Sequence, residues 1–265
     1  MIDYITLISA KLNLTYNKQL FIDEYDKHIL PVSTPVLNGP RQGIATAKTN
    51  IEWHMVLPEI YAQGQVRNPT VEKSLKTAYP SWNGCSLLYL DTADETLHQG
   101  SKNGSVAIRN YALDHMGEWK FYEKFENLEI TKFIKDLPLT DLIGIRCVSL
   151  QENTFAIIHR DDTNFLTTKQ EFLETQKMVN NHIWNSGFVQ ITINLSDGGA
   201  PLYYGITDGL DSNYKTINDD IYLFNDYAYH GVSLTNSRRR QIRVTGRPTL
   251  ELIKLIEEST IVNWS

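Results

Sequence analysis

Residues 155–162 read Phe-Ala-Ile-Ile-His-Arg-Asp-Asp, an apolar run with strand character that ends in a histidine and two carboxylates. Side chains along a strand alternate between its two faces, so positions 159 and 161 lie on the same face. One strand edge can therefore present the imidazole of His159 and the carboxylate of Asp161 to a single point. Both groups are metal ligands, so the segment predicts two members of a metal site.

A third ligand is predicted at His230, in the sequence Tyr-Ala-Tyr-His-Gly-Val. Of the seven histidines, only His159 has a carboxylate two positions later, a pattern that chance alone would give about once in a chain of this composition. Its context makes the pattern informative, because the pair closes a strand and an Arg-rich stretch at 238–245 follows His230. Two histidines and one carboxylate on one side of an iron ion leave three positions open for a co-substrate and O2.

Composition limits the class of protein. The chain has 265 residues, 42% of them hydrophobic, and no linker interrupts it, so a single domain over 1–265 is expected. A formal net charge of −6 argues against a nucleic-acid-binding protein, which would need a basic face. Only Cys85 and Cys147 are present, which argues against a disulfide framework or a cysteine-based zinc site and fits a reducing compartment.

The sequence also predicts a soluble, cytoplasmic protein that binds no membrane. No apolar run approaches the roughly 18–20 residues of a spanning helix, and the first residues lack the pattern of a signal peptide. The oligomeric state is not indicated by any pattern in the chain.

The second half of the chain alternates as strands do. Residues 187–195 place Phe188, Gln190, Thr192 and Asn194 on one face and four apolar residues on the other. Several such strands that need protected edges usually close into a jelly roll or a barrel, and jelly rolls include the cupins. The prediction is a mainly β fold with flanking helices at 119–135 and 250–258. Further strands are expected at 143–150, 154–159, 201–204, 220–224 and 239–245, and residues 80–91 are expected to form a turn followed by a strand centred on 87–90.

Taken together, these motifs resemble the Fe(II)/2-oxoglutarate-dependent oxygenases, which share a double-stranded β-helix (jelly-roll) core. The resemblance is carried by His159-Arg-Asp161, by His230-Gly-Val and by the Arg-bearing strand, within residues 140–248. The segment 137–150, which precedes the His159-Arg-Asp161 motif, is similar to the corresponding segment of the aspartyl/asparaginyl β-hydroxylase and proline hydroxylase branch. The His-Arg-Asp-Asp tetrapeptide and the overall length are similar to enzymes that act on free amino acids. Residues 1–120 are expected to be an N-terminal helical and loop elaboration.

The resemblance implies that His159, Asp161 and His230 bind Fe(II), and that an arginine after His230 binds the distal carboxylate of 2-oxoglutarate. A guanidinium suits that role because its planar fork meets a carboxylate with two hydrogen bonds and stays charged. The stretch offers Arg238, Arg239, Arg240 and Arg243.

Strand parity separates these candidates. We predict Arg243, with Thr245 as its helper, because an Arg-x-Thr pair resembles the Arg-x-Ser of the family. Arg240, ten positions after His230, is the second candidate, and Arg239 is the third. Parity places Gln241, Arg243 and Thr245 on a polar face and Arg240, Ile242 and Val244 on a more apolar one.

The same resemblance implies hydroxylation of an aliphatic C–H bond, with release of succinate and CO2. Halogenating relatives have a small residue where this chain has Asp161, so hydroxylation is favoured over halogenation. Asp162 is a candidate partner for the amine of a small amino acid or amino-acid-derived substrate, or an exposed loop acid. Trp264 could close over the substrate, or pack on the terminal helix.

Two other functions remain open from the sequence. One is the same catalytic core acting on a peptide or protein side chain, which would require an extended groove. The other is a cupin-like metal-binding module, or a hydrolase with a different metal. That alternative would gain if His230 lay far from His159 or if no arginine faced the metal.

Overall fold

The fold is taken from a computed structural model that describes residues 7–35, 42–44, 82–93, 117–152, 154–159, 189–196, 202–205, 215–224, 229–235 and 237–263. In these ranges the helices are α1 (Lys18–Glu24), α2 (Glu129–Lys135) and α3 (Leu250–Glu257). A π-helical turn, Tyr25–Ile29, continues α1, and short 3-10 turns lie at Leu30–Val32 and Glu123–Phe125.

The strands of the described ranges, in chain order, are β1 (Leu7–Lys11), β2 (Thr34–Pro35), β3 (Gln42–Ile44), β4 (Trp82–Ser86), β5 (Leu88–Asp91), β6 (Glu118–Phe121), β7 (Leu139–Leu150), β8 (Thr154–His159), β9 (Val189–Asn194), β10 (Leu202–Gly205), β11 (Lys215–Ile217), β12 (Ile221–Phe224), β13 (Tyr229–Thr235), β14 (Arg239–Pro248) and β15 (Ile261–Asn263).

Strand order identifies the fold. The large sheet has the order β15-β1-β12-β9-β14-β7-β4-β2, and the small sheet has the order β11-β10-β13-β8-β3. From β7 to β14 the chain passes back and forth between the sheets: β7, β9, β12 and β14 lie in the large one, and β8, β10, β11 and β13 in the small one. Neighbouring strands pair antiparallel. This is a double-stranded β-helix, and it confirms the predicted fold class.

The N-terminal part of the chain extends both sheets. β1 pairs with β12, β4 pairs with β7, and β3 pairs with β8. The sequence predicts helices and loops over 1–120, and the described part of that region contributes strands as well. Since these strands pair with partners far along the chain, no local period marks them.

The main core lies between the outer face of the large sheet and the three helices. The apolar face predicted for 187–195 is observed, and Ile242 and Val244 of β14 join it with no exposed surface. The helices contribute Phe21, Ile130 and Leu252 to the same cluster. This packing makes one face of the large sheet a structural face. The residues of β9 in this core, with the residue that follows the strand, are Val189, Ile191, Ile193 and Leu195.

The helix predicted over 119–135 is only partly correct. Glu118–Phe121 is strand β6, which pairs with β5 so that Trp119 lies opposite Leu90, and the α-helix is confined to Glu129–Lys135. The helix begins at 129 because the two carboxylate oxygens of Glu24 accept hydrogen bonds from the backbone N–H groups of Glu129 and Ile130, each at 2.9 Å. A carboxylate at a helix N-terminus satisfies unpaired donors and complements the helix dipole.

The turn and strand predicted over 80–91 are observed as two strands: Leu88–Asp91 is β5, as expected, and Trp82–Ser86 forms β4 between β7 and β2. The closing helix is confirmed as Leu250–Glu257. The hydroxyl of Thr249 caps it by accepting a hydrogen bond from the backbone N–H of Leu252 at 3.3 Å. None of the helices in the described ranges has the length and apolar character to cross a membrane.

Candidate metal and co-substrate site

The small sheet brings two of the predicted metal ligands to one place. β8 and β13 are neighbours, and their register sets His159 directly opposite His230. On the other side of β13, position 204 of β10 lies opposite His230. Opposite positions of an antiparallel pair lie on the same face, with Cβ atoms about 4.5–5.5 Å apart. Two residues that are remote in sequence thus occupy adjacent positions on one face.

His230 lies inside the jelly roll. Its side chain is buried, with 2% of its surface exposed. Its ring meets the ring of Phe224 edge to face, with ring centroids 5.2 Å apart and planes at 76°. Phe224 ends β12 of the large sheet, so the contact places the imidazole between the two sheets. An edge-to-face contact of this kind fixes the orientation of the ring.

The inner face of β14 is polar, as parity predicts. Gln241 and Thr245 are buried on it, and Arg243 is half-buried between them. Arg243 lies opposite Thr192 of β9, and Thr245 lies opposite Gln190. A row of hydrogen-bonding side chains therefore crosses the large sheet on the side away from the helices.

Measured along the strands, Arg243 lies close to the position of His230. Thr192 is opposite both Arg243 and Tyr222, so these three residues form one row across β14, β9 and β12. Phe224, which contacts His230, is two residues beyond Tyr222, or about 7 Å along the strand. The backbone of Arg243 therefore lies about one strand repeat, along the large sheet, from the row of Phe224, the residue whose ring contacts His230.

Arg240 is placed on the other face of β14. Its guanidinium forms a two-pronged ion pair with Asp26, with Nε–Oδ1 at 2.7 Å and Nη2–Oδ2 at 2.6 Å. Asp26 belongs to the π-helical turn that follows α1. This pair ties the helix layer to the large sheet and separates Arg240 from Arg243 and Thr245.

Arg239 lies on the inner face at the start of β14, and 1% of its surface is exposed. The pKa of its guanidinium is lowered to about 10, mainly by burial and also by the positive charge of Arg243, while Tyr222 acts to raise it. The Tyr222 hydroxyl accepts a hydrogen bond of 2.9 Å from Nε2 of Gln241. The deep end of the inner face thus carries positive charge in a desolvated setting, which is suited to an anion.

Three of the predicted residues lie outside the described ranges: Asp161, Asp162 and Trp264. His159 is placed through its backbone position in β8. Within the part of the chain whose side chains are described, no three His, Cys, Asp or Glu side chains come together as a metal site. The predicted triad accordingly has one member with a described side chain, His230, and one with a described register position, His159.

Sequence reasoning missed the aromatic residues Tyr222 and Phe224 of the inner face. The signal that could have identified them is the alternation of Ile-Tyr-Leu-Phe in β12, which puts both aromatic rings on the face opposite Ile221 and Leu223. The strand is apolar throughout, so polarity did not distinguish its two faces as it did for β9 and β14.

Comparison with known proteins gives structural similarity alone. No family model matches the sequence, and no curated protein matches it. Among solved structures, the chain is similar to HygX from Streptomyces hygroscopicus with nickel and 2-oxoglutarate bound, at 14% identity over 64% of this chain and 71% of that one, with a TM-score of 0.30. A Pseudomonas putida prolyl-4-hydroxylase has 12% identity over 88% of this chain and 99% of that one, with a TM-score of 0.28. The non-heme alpha-ketoglutarate-dependent epimerase SnoN has 12% identity over 91% and 80%, with a TM-score of 0.36.

Proposed function

We propose that the protein is an Fe(II)- and 2-oxoglutarate-dependent dioxygenase that hydroxylates an aliphatic C–H bond. The observation that carries the proposal is the register of β8 and β13, which sets His159 opposite His230 in a jelly roll. A second feature supports it, since Arg243 and Thr245 lie on the polar inner face of β14 at a neighbouring level. Histidine pairs of this kind, with a carboxylate, are typical of non-heme iron sites that keep coordination positions open.

The residues fit an iron ion in their chemistry. His230 is buried between the sheets, and the neutral imidazole is the form of histidine that ligates metals. In the proposed site, His230 and His159 would hold the iron with Asp161, two positions after the end of β8. Phe224 packs on His230 and limits its rotation. When bound, iron would supply the O2 activation that protein side chains cannot provide.

Arg243 is proposed to bind the distal carboxylate of 2-oxoglutarate, and the hydroxyl of Thr245 to donate a further hydrogen bond. A half-buried guanidinium loses less binding energy to solvent screening than an exposed one does. Arg240 is not chosen, because its fork is already occupied by Asp26 on the opposite face. Arg239 is the second candidate, since it shares the inner face.

The protein's own contribution is to bind, orient and exclude water. Val232 and Phe224 are buried near His230, and Thr192, Asn194 and Gln241 are buried on the inner face of the large sheet. A dry, polar interior of this kind fixes the co-substrate through hydrogen bonds and keeps bulk water from the reacting groups.

The substrate is proposed to be a small amino acid or an amino-acid-derived metabolite. The proposal rests on the His-Arg-Asp-Asp tetrapeptide, in which Asp162 would bind the substrate amine, with Trp264 closing over it. The products would be the hydroxylated substrate, succinate and CO2. A peptide or protein side chain is the alternative substrate, and a non-catalytic cupin-like metal-binding module is the alternative function.

The test is a substrate screen. The protein is loaded with iron anaerobically, mixed with 2-oxoglutarate and one free amino acid at a time, and then exposed to O2. We expect one amino acid to stimulate succinate release and to gain 16 mass units, the mass of one oxygen atom. If 2-oxoglutarate binds and no amino acid stimulates turnover, the peptide alternative is favoured. If 2-oxoglutarate does not bind to the metal-loaded protein, the oxygenase proposal is wrong.

A further inference from the structure

The two cysteines of the chain face each other across two neighbouring strands. Cys85 of β4 and Cys147 of β7 are direct partners in the antiparallel register, although 61 residues separate them in sequence. Neither is in a disulfide. Directly opposite residues have Cα atoms about 4.5–5.5 Å apart, which lies inside the roughly 4.4–6.8 Å that a disulfide spans. The register therefore permits a bond between the two sulfur atoms with little movement of the backbone.

The two thiols differ in their surroundings. Cys147 has no exposed surface, whereas Cys85 is only partly buried. A hydrogen bond with Cys147 lowers the pKa of Cys85 against the opposing effect of burial, and Ser33 and the charge of Lys124 act in the same direction as Cys147. Burial raises the pKa of Cys147. Cys85 is thus the less buried and more easily ionised of the two thiols, and Cys147 is enclosed, which is the division between an attacking and a resolving cysteine.

We propose that Cys85 and Cys147 form a reversible oxidation site that reacts with small peroxides. The Cys85 thiolate attacks one peroxide oxygen, so the O–O bond breaks, an S–O bond forms and the second oxygen leaves as hydroxide. The Cys147 sulfur then attacks the Cys85 sulfenic acid, so the S–S bond forms and the S–O bond breaks. The hydroxyl leaves with the Cys147 proton as water. With hydrogen peroxide, the released hydroxide takes up the proton that the Cys85 thiol gave up, so the two sulfurs together lose two electrons and both peroxide oxygens become water.

This site is distinct from the proposed iron site and does not depend on it. Cys147 belongs to the core on the outer face of the large sheet, next to Tyr25 of the helix layer. Its neighbour Arg146 has the opposite parity in β7 and pairs with Arg243. A disulfide between β4 and β7 would therefore form on the helix-covered side of the sheet, behind the polar inner face.

The experiment treats the reduced full-length protein with hydrogen peroxide, counts free thiols, and maps peptides after digestion without reductant. With only two cysteines in the chain, both thiols should disappear together, and one linked peptide pair should contain Cys85 and Cys147. Dithiothreitol should restore both thiols. The proposal is overturned if both thiols persist while a small free thiol in the same solution is oxidised. It is also overturned if Cys85 proceeds to sulfinic acid while Cys147 stays reduced, or if the disulfides formed join two chains.

Two matched variants separate the roles of the sulfurs. In Cys147→Ser, peroxide should leave a Cys85 sulfenic acid that dimedone captures, because the resolving thiol is absent. In Cys85→Ser, the enclosed Cys147 should keep its thiol. Rapid oxidation of Cys147 in the folded Cys85→Ser variant would contradict the assignment of Cys85 as the attacking residue. The peptide map of the unchanged chain decides the proposal by itself should a variant fail to fold.

Discussion

The two faces of β14 differ in character, since one packs in the hydrophobic core and the other faces the interior of the jelly roll. The outer face carries Ile242 and Val244, both fully buried, and Arg240, which is paired with Asp26 of the helix layer. The inner face carries Gln241, Arg243 and Thr245, which face the interior of the jelly roll. Alternation along one strand thus places structural and binding residues at neighbouring positions.

Because of this contrast, substitutions on the two faces should change different measured quantities. A change on the outer face should alter the free energy of unfolding and leave co-substrate affinity nearly unchanged. A change at Arg243 or Thr245 on the inner face should alter affinity and leave stability nearly unchanged, because their hydrogen-bonding groups serve a ligand more than the core. The predictions that follow test this separation.

Ile242→Ala is expected to have the largest effect, a loss of about 3 kcal/mol in the free energy of unfolding, since it opens a cavity in the core. The measurement is urea unfolding followed by circular dichroism. The dissociation constant for 2-oxoglutarate should change less than twofold in the folded protein. A large loss of affinity with intact stability would contradict the assignment of this face to the core.

Arg243→Ala should weaken 2-oxoglutarate binding about 100-fold, or about 2.7 kcal/mol, because a charge-assisted pair with the carboxylate is lost. Calorimetric titration of the anaerobic metal-loaded protein measures it. Arg240→Ala is the matched control on the other face. It should leave affinity unchanged and lower stability by about 1 kcal/mol through loss of the Asp26 pair. If Arg240→Ala weakens 2-oxoglutarate binding and Arg243→Ala does not, the assignment of the two faces is wrong.

Arg239→Met should raise the free energy of unfolding at pH 7, by about 1–3 kcal/mol, because burial disfavours the charged guanidinium. The sign follows from a folded pKa near 10, below that of an exposed arginine. The cost is fully present below pH 10 and disappears as the pH rises through the unfolded pKa. Unfolding curves at pH 7 measure the difference, and a destabilised variant would mean that the hydrogen bonds of Arg239 outweigh its desolvation.

Thr245→Val should have the smallest effect, a three- to tenfold weaker affinity for 2-oxoglutarate, or about 1 kcal/mol, because one hydroxyl hydrogen bond is lost. The substitution preserves volume at a position that is 7% exposed, so stability should change little. Titration against the unchanged chain provides the comparison. Unaltered affinity would remove Thr245 from the proposed co-substrate site.

Some of this arrangement could be predicted from the sequence. The alternation at 187–195 and 239–245 predicted two faces of opposite character, and the apolar residues of both strands do lie together in the hydrophobic core. Strand alternation is a local property with a period of two, so it is visible in a single stretch. The proposed metal ligands were likewise visible as residue types at the ends of strands, and their roles stay predictions.

Other features depend on pairing between distant residues and could not be predicted. The partner of Arg240 is Asp26, 214 positions away, and no spacing rule connects them. Glu24 determines where helix α2 begins, although it is 105 positions before Glu129. The strand at Glu118–Phe121 follows a helical period in the sequence, but its pairing with β5 prevails over that local preference.

The most direct test of the central claim is an anaerobic titration of Fe(II), with 2-oxoglutarate present, into the unchanged chain and into His159→Ala and His230→Ala. The account predicts one tightly bound iron per chain, and a loss of at least 100-fold in iron affinity in each variant while both remain folded. Stoichiometric, tight iron binding by either variant would contradict the pairing of His159 and His230 as ligands of one metal.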